Sequence, residues 1–491
     1  MRSSFKIKPL ISAVAALSVC SLASAAGLDR SGQDVTAFLQ DGTYAEAVYT
    51  YIDADVTGHG LNADGSKGKK IKDIAEDYDF FRYGVKTDIN DTFSIGVLYD
   101  EPWGAAADYH GDNSFVGAPT NVANGIIASQ LGSQGITDVD GFKGFVNGVG
   151  QKVEAGRAEL NQAKQALAQN PALAPILEPK IAEGEARLQA GEAQYQRLKG
   201  LEGTLDTALA NTDPTKVEVR TQSITGLLGM KFGQNKEFQI YGGPVAQRLK
   251  AGVMLRGDAY DRATGYNLEV NPDMDYGWIA GVQYSKPEIA LKAALTYRSE
   301  IDHSIDAIEF MPLVALTGQN PSQTNKMEVT TPESVNFDFQ TGINPTTLAT
   351  AKVRWVPWSD FSITPPLYNE ATKRAYPDKP NGLDLVSYDD DQWLVELGLA
   401  KRLSPKLAVS GTVGWDSGAG DPVTSLGPIE GYYSVGLGAK YNFTENWAVS
   451  AGGKYLMFGD AKGIIPNGNL VSKFDDNDGF ALGVKLSYQD K

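Results

Sequence analysis

The sequence has very few of the residues from which metal, disulfide and nucleophilic sites are built. Its 491 residues include one cysteine, Cys20, and three histidines, His59, His110 and His303. The histidines fall in or beside predicted loops, and none belongs to a recognisable Ser–His–acid pattern. Cys20 lies in a predicted leader, so the mature chain offers no disulfide framework and no cysteine metal site. We therefore expect no catalytic residues, no metal and no cofactor.

Two further features are missing from the chain. Beyond the leader there is no run near the roughly 20 apolar residues that a membrane helix requires. There is also no excess of positive charge: the formal net charge is −16, so we expect no binding to nucleic acid. The mean hydropathy of −0.26 still permits a membrane protein in which lipid-facing residues alternate with polar ones.

The first 25 residues have the pattern of a secretory signal peptide. A basic start ending at Lys8 precedes an uncharged apolar run over 9–22 and the small residues Ala23-Ser24-Ala25, which form an A-x-A cleavage site. A lipoprotein box ending at Cys20 is the alternative, and the bulky Val19 disfavours it. We predict a signal peptide over 1–25.

Five segments between Trp393 and Tyr488 alternate apolar residues with small or polar ones. The apolar members are Trp393, Val395, Leu397 and Leu399 in the first segment and Phe480, Leu482, Val484 and Leu486 in the last. A period of two indicates strands with two different faces. Aromatic residues at both ends of an aliphatic face are typical of the surface that a transmembrane barrel presents to lipid.

Further strand candidates precede these five, and connection lengths alternate between them. The candidates lie at 43–57, 75–88, 92–101, 215–233, 237–258, 265–284, 288–303, 325–341 and 346–363. Tight turns such as 89–91 and 443–445 alternate with long connections such as 304–324, as the periplasmic turns and external loops of such barrels do. We predict an all-β fold, a transmembrane antiparallel β-barrel of about 14 strands over 43–491. A short periplasmic or plug segment over 26–42 precedes it.

The long connection 102–214 contains the one predicted helical region. Val146, Val153 and Leu160 recur every seven residues, and Leu198 pairs with Leu205. Prolines beginning at Pro171 separate two such runs. We predict a helical hairpin over about 140–209 on the outer side, either as a packed cap or with an apolar stripe that catches hydrophobic ligands.

Four segments carry a family resemblance. They are 47–56, 276–284, Leu-Thr-Tyr-Arg-Ser-Glu over 295–300 and Trp-Ser-Asp-Phe over 358–361. Together they resemble the FadL family of outer-membrane transporters for long-chain fatty acids and other hydrophobic compounds. The resemblance implies 14 strands, passive uptake and lateral release, in a bacterial outer-membrane protein that contacts outer-membrane lipid and lipopolysaccharide; we expect a monomer. The chain departs from the family in having a short segment before the first strand instead of a hatch of some forty residues.

Cations are needed to hold a fatty-acid carboxylate. With Leu249 and Val253 facing lipid, Arg248 and Lys250 would face the lumen, and Arg248 lies in a stretch similar to the family's headgroup-binding stretch. Pairing with lumen acids is the alternative role. Lys373 and Arg374, in a predicted outer loop, are further headgroup candidates.

Two further sets of residues are predicted to lie in the barrel wall. Inward parity assigns a structural charge network to Arg298, Glu300, Lys352 and Arg354. A lateral gate is predicted at Pro102, Gly104, Ala105 and Ala106, because proline cannot donate a ladder hydrogen bond and glycine tolerates a kink. The resemblance places the lateral opening of the family at this third strand. Simple termination of the strand at Pro102 is the alternative.

Two other functions remain open from the residues alone. A general diffusion porin for small polar solutes would have a wide polar lumen, whereas Leu456 and Phe458 are predicted to face inward here. A surface receptor or adhesin would use the helical hairpin as its binding part. The acidic runs at 389–391 and 475–478 lack the spacing of a calcium loop and are interpreted as solvated loops.

Overall fold

The computed structural model describes residues 28–117, 119–210, 213–315 and 319–490. The predicted signal peptide lies outside the described residues. The chain forms a closed barrel of 14 antiparallel strands, in which the first strand pairs with the last from Thr43↔Asp490 to Asp55↔Asp478. The predicted fold class is therefore confirmed.

The barrel strands are numbered β1 to β14 in chain order. Their bounds are β1 Thr43–Asp55, β2 Tyr78–Asp88, β3 Phe93–Asp100 and Gly104–Asp108, β4 Lys216–Phe232, β5 Phe238–Met254, β6 Asn267–Lys286, β7 Leu291–Arg298 and Ile301–Phe310, β8 Ser322–Thr331 and Ser334–Asn344, β9 Thr347–Val356, β10 Gln392–Arg402, β11 Leu407–Asp416, β12 Glu430–Asn442, β13 Trp447–Gly459 and β14 Asp478–Asp490. Three strands, β3, β7 and β8, are thus interrupted. Short turns join the strands at one end of the barrel, which by the general rule for such barrels is the periplasmic end.

The alternation of apolar and polar residues along the strands gives the barrel wall two different faces, one outward and one inward. The outward residues Trp393, Leu397 and Leu437 are 46%, 53% and 70% exposed, whereas the inward Leu456 and Phe458 are buried. Aromatic residues flank the aliphatic band at both ends of the strands. This is the lipid-facing surface that the period of two predicted.

Strands β7 and β8 extend further outward than the sequence indicated. The predicted connection 304–324 is shorter, because β7 continues to Phe310 and β8 begins at Ser322. In this outer part of β7 the apolar residues Ile301, Ile305 and Ala307 point inward and are buried. The apolar face has therefore reversed, because here the barrel is lined by apolar side chains rather than surrounded by lipid.

Three helices lie in the long connection between β3 and β4. Their bounds are α1 Pro119–Leu131, α2 Val139–Gln169 and α3 Ala174–Ala210. Helices α2 and α3 form the predicted hairpin, with Val146, Val153 and Leu160 buried in its seam; α1 was not predicted. Two shorter helices, α4 Pro312–Ala315 and α5 Pro366–Ala375, lie in other outer loops. Among the described residues, no helix has both the length and the apolarity to cross a membrane.

Short strands in the outer loops form two small sheets. One pairs Ser362–Ile363 with Val386–Ser387, and the other joins Gly58–Leu61, Lys67–Ile71, Val423–Thr424, Ala461–Ile464 and Leu470–Phe474. These sheets and α5 cover the outer end of the barrel and pack against its apolar interior.

Candidate functional site

The segment before β1 lies inside the barrel. Asp29, at its start, has its Oδ2 atom 2.5 Å from Nε of Arg354 on β9, and neither side chain is accessible to solvent. The Arg354 guanidinium also donates to Gln33 and to Asn336 on β8, and the Asn336 amide donates to the Gly32 carbonyl. A short segment therefore occupies the lumen through buried polar contacts with the wall.

A second ion pair holds the same segment at Asp34. Its carboxylate lies 3.1 Å from the guanidinium of Arg82 on β2, and both side chains are buried. Burial alone would raise the pKa of Asp34, but the charges of Arg82 and Lys352 outweigh burial and hold this pKa well below its ordinary value. The segment is thus tied to β2 and β9, on different sides of the lumen.

Strand β3 turns inward at Pro102 and Trp103 and pairs with the N-terminal segment. The Arg30 N–H donates to the Pro102 carbonyl at 2.8 Å, and the Gly104 N–H donates to the Leu28 carbonyl at 2.7 Å. On its other edge β3 remains bonded to β4, where the Thr221 N–H donates to the Trp103 carbonyl. The N-terminal segment thus takes the ladder position that β2 holds lower on β3.

The inward turn leaves a gap in the wall between β2 and β3. Within the described residues, their ladder ends at Tyr83↔Tyr99, and pairing resumes only at an isolated bridge between Ala75 and Ala107. Lys216 closes the outer end of the gap, with its ammonium 2.9 Å from the Glu76 carboxylate and 3.0 Å from that of Asp108. The predicted gate residues form one side of this gap.

The outer half of the lumen contains an apolar cavity, here called the outer cavity. It is lined by side chains of the outer strand segments and the loops, among them Trp103, Leu249, Val253, Ile305, Trp358 and Leu426. None of its described lining residues is charged. Such a cavity suits a ligand that is largely or wholly apolar.

A second cavity, the gap cavity, lies between the lumen and the gap. Its apolar lining includes Ile52, Val56, Ile74, Leu456 and Phe458, and Gly104 to Ala107 form its side toward β3. Ala105, Leu426 and Gly427 line both cavities. The outer cavity and the gap cavity are therefore neighbours that share a wall formed by these residues.

The periplasmic half of the lumen is different in character. A cavity in this half, the periplasmic cavity, is lined by several charged side chains, among them Asp34, Lys292, Asp338, Lys352 and Glu396. Lys454 pairs with Glu396 in the same half of the barrel. The outer cavity and the gap cavity, by contrast, both lie in the outer half.

The predicted orientation of Arg248 and Lys250 is wrong. Both side chains are exposed on the outer face of β5, and Leu249 and Val253 point inward into the outer cavity. The reason is the reversal of the apolar face above the lipid band. Arg248 and Lys250 lie outside the gap, in a groove that they share with Glu101. A headgroup role for Arg248 stays a prediction, and a headgroup bound there would lie on the outer side of the barrel wall.

The remaining predicted headgroup residues lie on α5. Lys373 pairs with Glu370 at 2.8 Å, and the Arg374 guanidinium donates to the Gln319 amide oxygen. Neither residue lines the outer cavity or the gap cavity. The structure therefore does not bring them together with Arg248.

The predicted charge network is partly correct in orientation. Lys352, Arg354 and Arg298 point inward and are buried. Glu300 is exposed, because β7 is interrupted at residues 299–300 and the inward parity does not continue through the break. Arg354 joins the N-terminal segment rather than Glu300.

Sequence reasoning missed Arg30 and Trp103. Arg30 lies at the gap in a segment without periodicity, so no local pattern pointed to it. Trp103 is 2% exposed and packs edge-on against Trp358, with ring centroids 5.3 Å apart. The only signal for Trp103 in the sequence was its position directly after Pro102. Among the described residues, no group of three or more histidine, cysteine or acidic side chains could hold a metal ion.

Comparisons with known proteins agree with this architecture. A family model described as outer membrane protein transport protein (OMPP1/FadL/TodX) matches residues 258–464. A Pseudomonas aeruginosa FadL homologue superimposes with a TM-score of 0.60 at 11% identity, covering 96% of this chain and 97% of that one. The toluene transporter TodX of P. putida gives 0.49 at 9% identity, covering 92% and 91% of the two chains. No curated protein matches the sequence of this chain.

The first structural match shows a shared fold, and the family model adds a match in sequence over the second half of the chain. The resemblance that the four segments indicated is thereby confirmed. This chain is an outer-membrane β-barrel that has the fold of the FadL homologue and, over residues 258–464, the sequence pattern of the outer membrane transport proteins described as OMPP1/FadL/TodX.

Proposed function

We propose that the protein takes up hydrophobic compounds passively from the outside and releases them sideways into the outer membrane, through the gap between β2 and β3. The proposal rests on the order in which the cavities adjoin one another. The uncharged outer cavity lies next to the gap cavity, and the gap cavity ends where β2 and β3 are unpaired in the wall. Long-chain fatty acids and hydrocarbons are both ligands of suitable chemistry.

Energetics favours a sideways exit over a passage through the whole barrel. An apolar ligand that continued toward the periplasm would leave the outer half for the charged periplasmic cavity. Exposure to water would then cost about 0.8 kcal/mol for each CH₂ group. Transfer from the gap cavity into lipid avoids this cost, because the ligand stays in an apolar medium.

The predicted gate residues have a clear part in this route. Pro102 begins the inward turn, and a Cβ atom placed on Gly104 would lie 2.6 Å from the Arg30 guanidinium carbon. Ala105 and Ala106 line the gap cavity with small side chains. We expect bulky residues at Gly104, Ala105 or Ala106 to block uptake and leave the barrel folded.

A diffusion porin is the less suitable function, because the N-terminal segment occupies the lumen through buried ion pairs. Liposome swelling with small sugars tests this point. The porin alternative predicts swelling, and the proposed function predicts none. No observation on the hairpin favours a receptor or adhesin role.

The lateral route is tested by a cross-link across the gap. Asp79 on β2 and Glu101 after the first part of β3 line the same outer groove. The variant Asp79→Cys/Glu101→Cys, joined by a short cleavable bis-maleimide, should lose uptake of a labelled hydrophobic compound and regain it after cleavage. The matched control is Val85→Cys/Val97→Cys, which joins the same strands at a directly paired position below the gap. Normal uptake by a fully cross-linked Asp79/Glu101 variant would exclude release through the gap.

A further inference from the structure

Arg30 is a buried cation located at the gap. The residue is 3% exposed, and its Nε and Nη2 atoms have no hydrogen-bond partner within the described part of the chain. No ion pair to Arg30 is found among the residues that the structure describes. Its guanidinium carbon lies 3.9 Å from the centre of the Tyr78 ring and packs against the Gly104 backbone.

The acids near Arg30 are engaged elsewhere. Glu218 pairs with Arg220 on the outer face at 2.9 Å, and the Glu101 carboxylate accepts from the Tyr99 hydroxyl at 3.2 Å. Burial lowers the pKa of Arg30, opposed by Tyr78 and by the acids at a distance; an arginine nevertheless remains charged in a protein. Contact with one aromatic ring offsets only part of the cost of burying the charge.

The surroundings of Arg30 are otherwise suited to an alkyl chain. Arg30 lines the gap cavity together with Ile52, Val56, Leu456 and Phe458, and the carboxylate of Glu76, which also lines it, pairs with Lys216. A cation with free donors at the edge of an apolar cavity is complementary to an amphiphile with an anionic head. A carboxylate could accept two hydrogen bonds from one guanidinium, which adds geometric selectivity to the charge attraction.

We propose that Arg30 binds the carboxylate of an anionic amphiphile in the gap cavity, so that the head of the ligand lies at the wall opening and its alkyl chain lies among the apolar residues of that cavity. This inference rests on the proposed function and adds an ionised head to the ligand. Arg30 takes the part that the sequence suggested for Arg248, from the inner side of the same gap.

The test compares two ligands with the same tail. Hexadecanoic acid, at a pH where it is ionised, and hexadecan-1-ol are titrated into the purified full-length barrel in detergent. Arg30→Gln should weaken binding of the acid by roughly 10- to 100-fold, the size of a charge-assisted hydrogen bond, and leave binding of the alcohol unchanged. Arg30→Lys, which keeps the charge but cannot form the bidentate contact, should lie between Gln and wild type.

The matched control is Arg298→Gln. Arg298 is also buried and has two guanidinium nitrogens that find no hydrogen-bond partner among the described residues, but it lines neither apolar cavity. Its replacement should leave the affinity for the acid unchanged. Heat-modifiable migration in gels checks that each variant folds, and Arg30→Lys provides the same comparison if Arg30→Gln does not fold.

The outcomes separate this inference from the proposed function. If wild type binds both ligands and Arg30→Gln weakens both equally or neither, the headgroup role of Arg30 is wrong and the hydrophobic channel stands. If Arg298→Gln weakens acid binding as much as Arg30→Gln does, the effect is one of general lumen charge and the proposal also fails. If wild type binds neither ligand, the proposed function itself loses its support.

Discussion

The buried pair between Asp29 and Arg354 should hold the N-terminal segment in the lumen. The perturbation is Asp29→Asn, which removes one charge at nearly constant volume. Both side chains have no solvent exposure, so the substitution leaves the Arg354 guanidinium buried with reduced compensation. Loss of one member of a buried ion pair typically costs about 3–5 kcal/mol.

The remaining contacts of Arg354 set the expected value at the lower end of this range. The guanidinium still donates to Gln33 at 3.2 Å and to Asn336 at 2.9 Å, and it lies 5.3 Å from the Trp103 ring. We therefore expect a loss of about 3 kcal/mol in the free energy that holds the segment in place. This corresponds to a roughly 100-fold larger population of the released state.

A single cysteine can report that population. Val35 lies on the same segment and is fully buried against Phe38, and the predicted mature chain has no other thiol. The labelling rate of Val35→Cys by a maleimide measures transient exposure of the segment. It should rise about 100-fold when Asp29→Asn is added. The double variant Asp29→Asn/Arg354→Gln should recover part of the loss, because neither charge is then left alone.

The control removes an ion pair that is exposed. Asp112 lies 2.6 Å from Lys69, with the two side chains 87% and 64% exposed, and such pairs contribute little. Asp112→Asn should leave the labelling of Val35→Cys within about twofold of the starting rate. The reasoning is refuted if Asp29→Asn also changes the rate by less than about threefold, since the buried pair would then not restrain the segment.

Two further predictions concern the lipid-facing surface and pH. Leu397→Arg, at a site 53% exposed in the middle of the lipid band, should destabilise the barrel by about 2–4 kcal/mol in urea titrations in vesicles, whereas Leu403→Arg at the periplasmic turn should cost at most about 1 kcal/mol; equal losses would contradict the assigned band. Because Arg82 and Lys352 depress the pKa of Asp34 in the folded state, the stabilisation by this carboxylate is present above its unfolded pKa near 4 and is lost as pH falls through the folded value. Hydrogen exchange over residues 30–40, corrected for intrinsic rates, should therefore show constant protection from neutral pH down to about 4 and weaker protection below; loss of protection between pH 7 and 5 would assign the control to another group.

The period of two determined the barrel and its lipid-facing surface without any tertiary information. In β10 and β14 the apolar parity of Trp393 to Leu399 and of Phe480 to Leu486 lies outside, as predicted. Lipid imposes one rule on every residue that it touches, so the pattern is readable along each strand by itself. The same holds for the hairpin, where Val146, Val153 and Leu160 form a seam between two helices that are consecutive in the chain.

Once a strand extends beyond the membrane, the period of two does not show whether its apolar face points into the barrel or out of it. Leu249 and Val253 keep the alternation of β5, yet they point inward because the interior is apolar at that height and the exterior is not. This reversal depends on the height of the membrane boundary and on the loops that close the barrel above it. It placed Arg248 and Lys250 on the wrong side in the sequence-based prediction.

Only the tertiary structure decided the gap and its surroundings. The N-terminal segment meets Pro102 to Gly104, far along the chain, and takes over the ladder bonds that β2 lacks there. No sequence pattern predicts the role of Arg30. That role depends on burial of the guanidinium against Gly104 and Tyr78 and on the absence of a counter-ion among the described residues. Alternation along a strand is a local property, whereas the pairing of a free segment with a distant strand is set by which edges of the barrel wall remain unpaired after the barrel has closed.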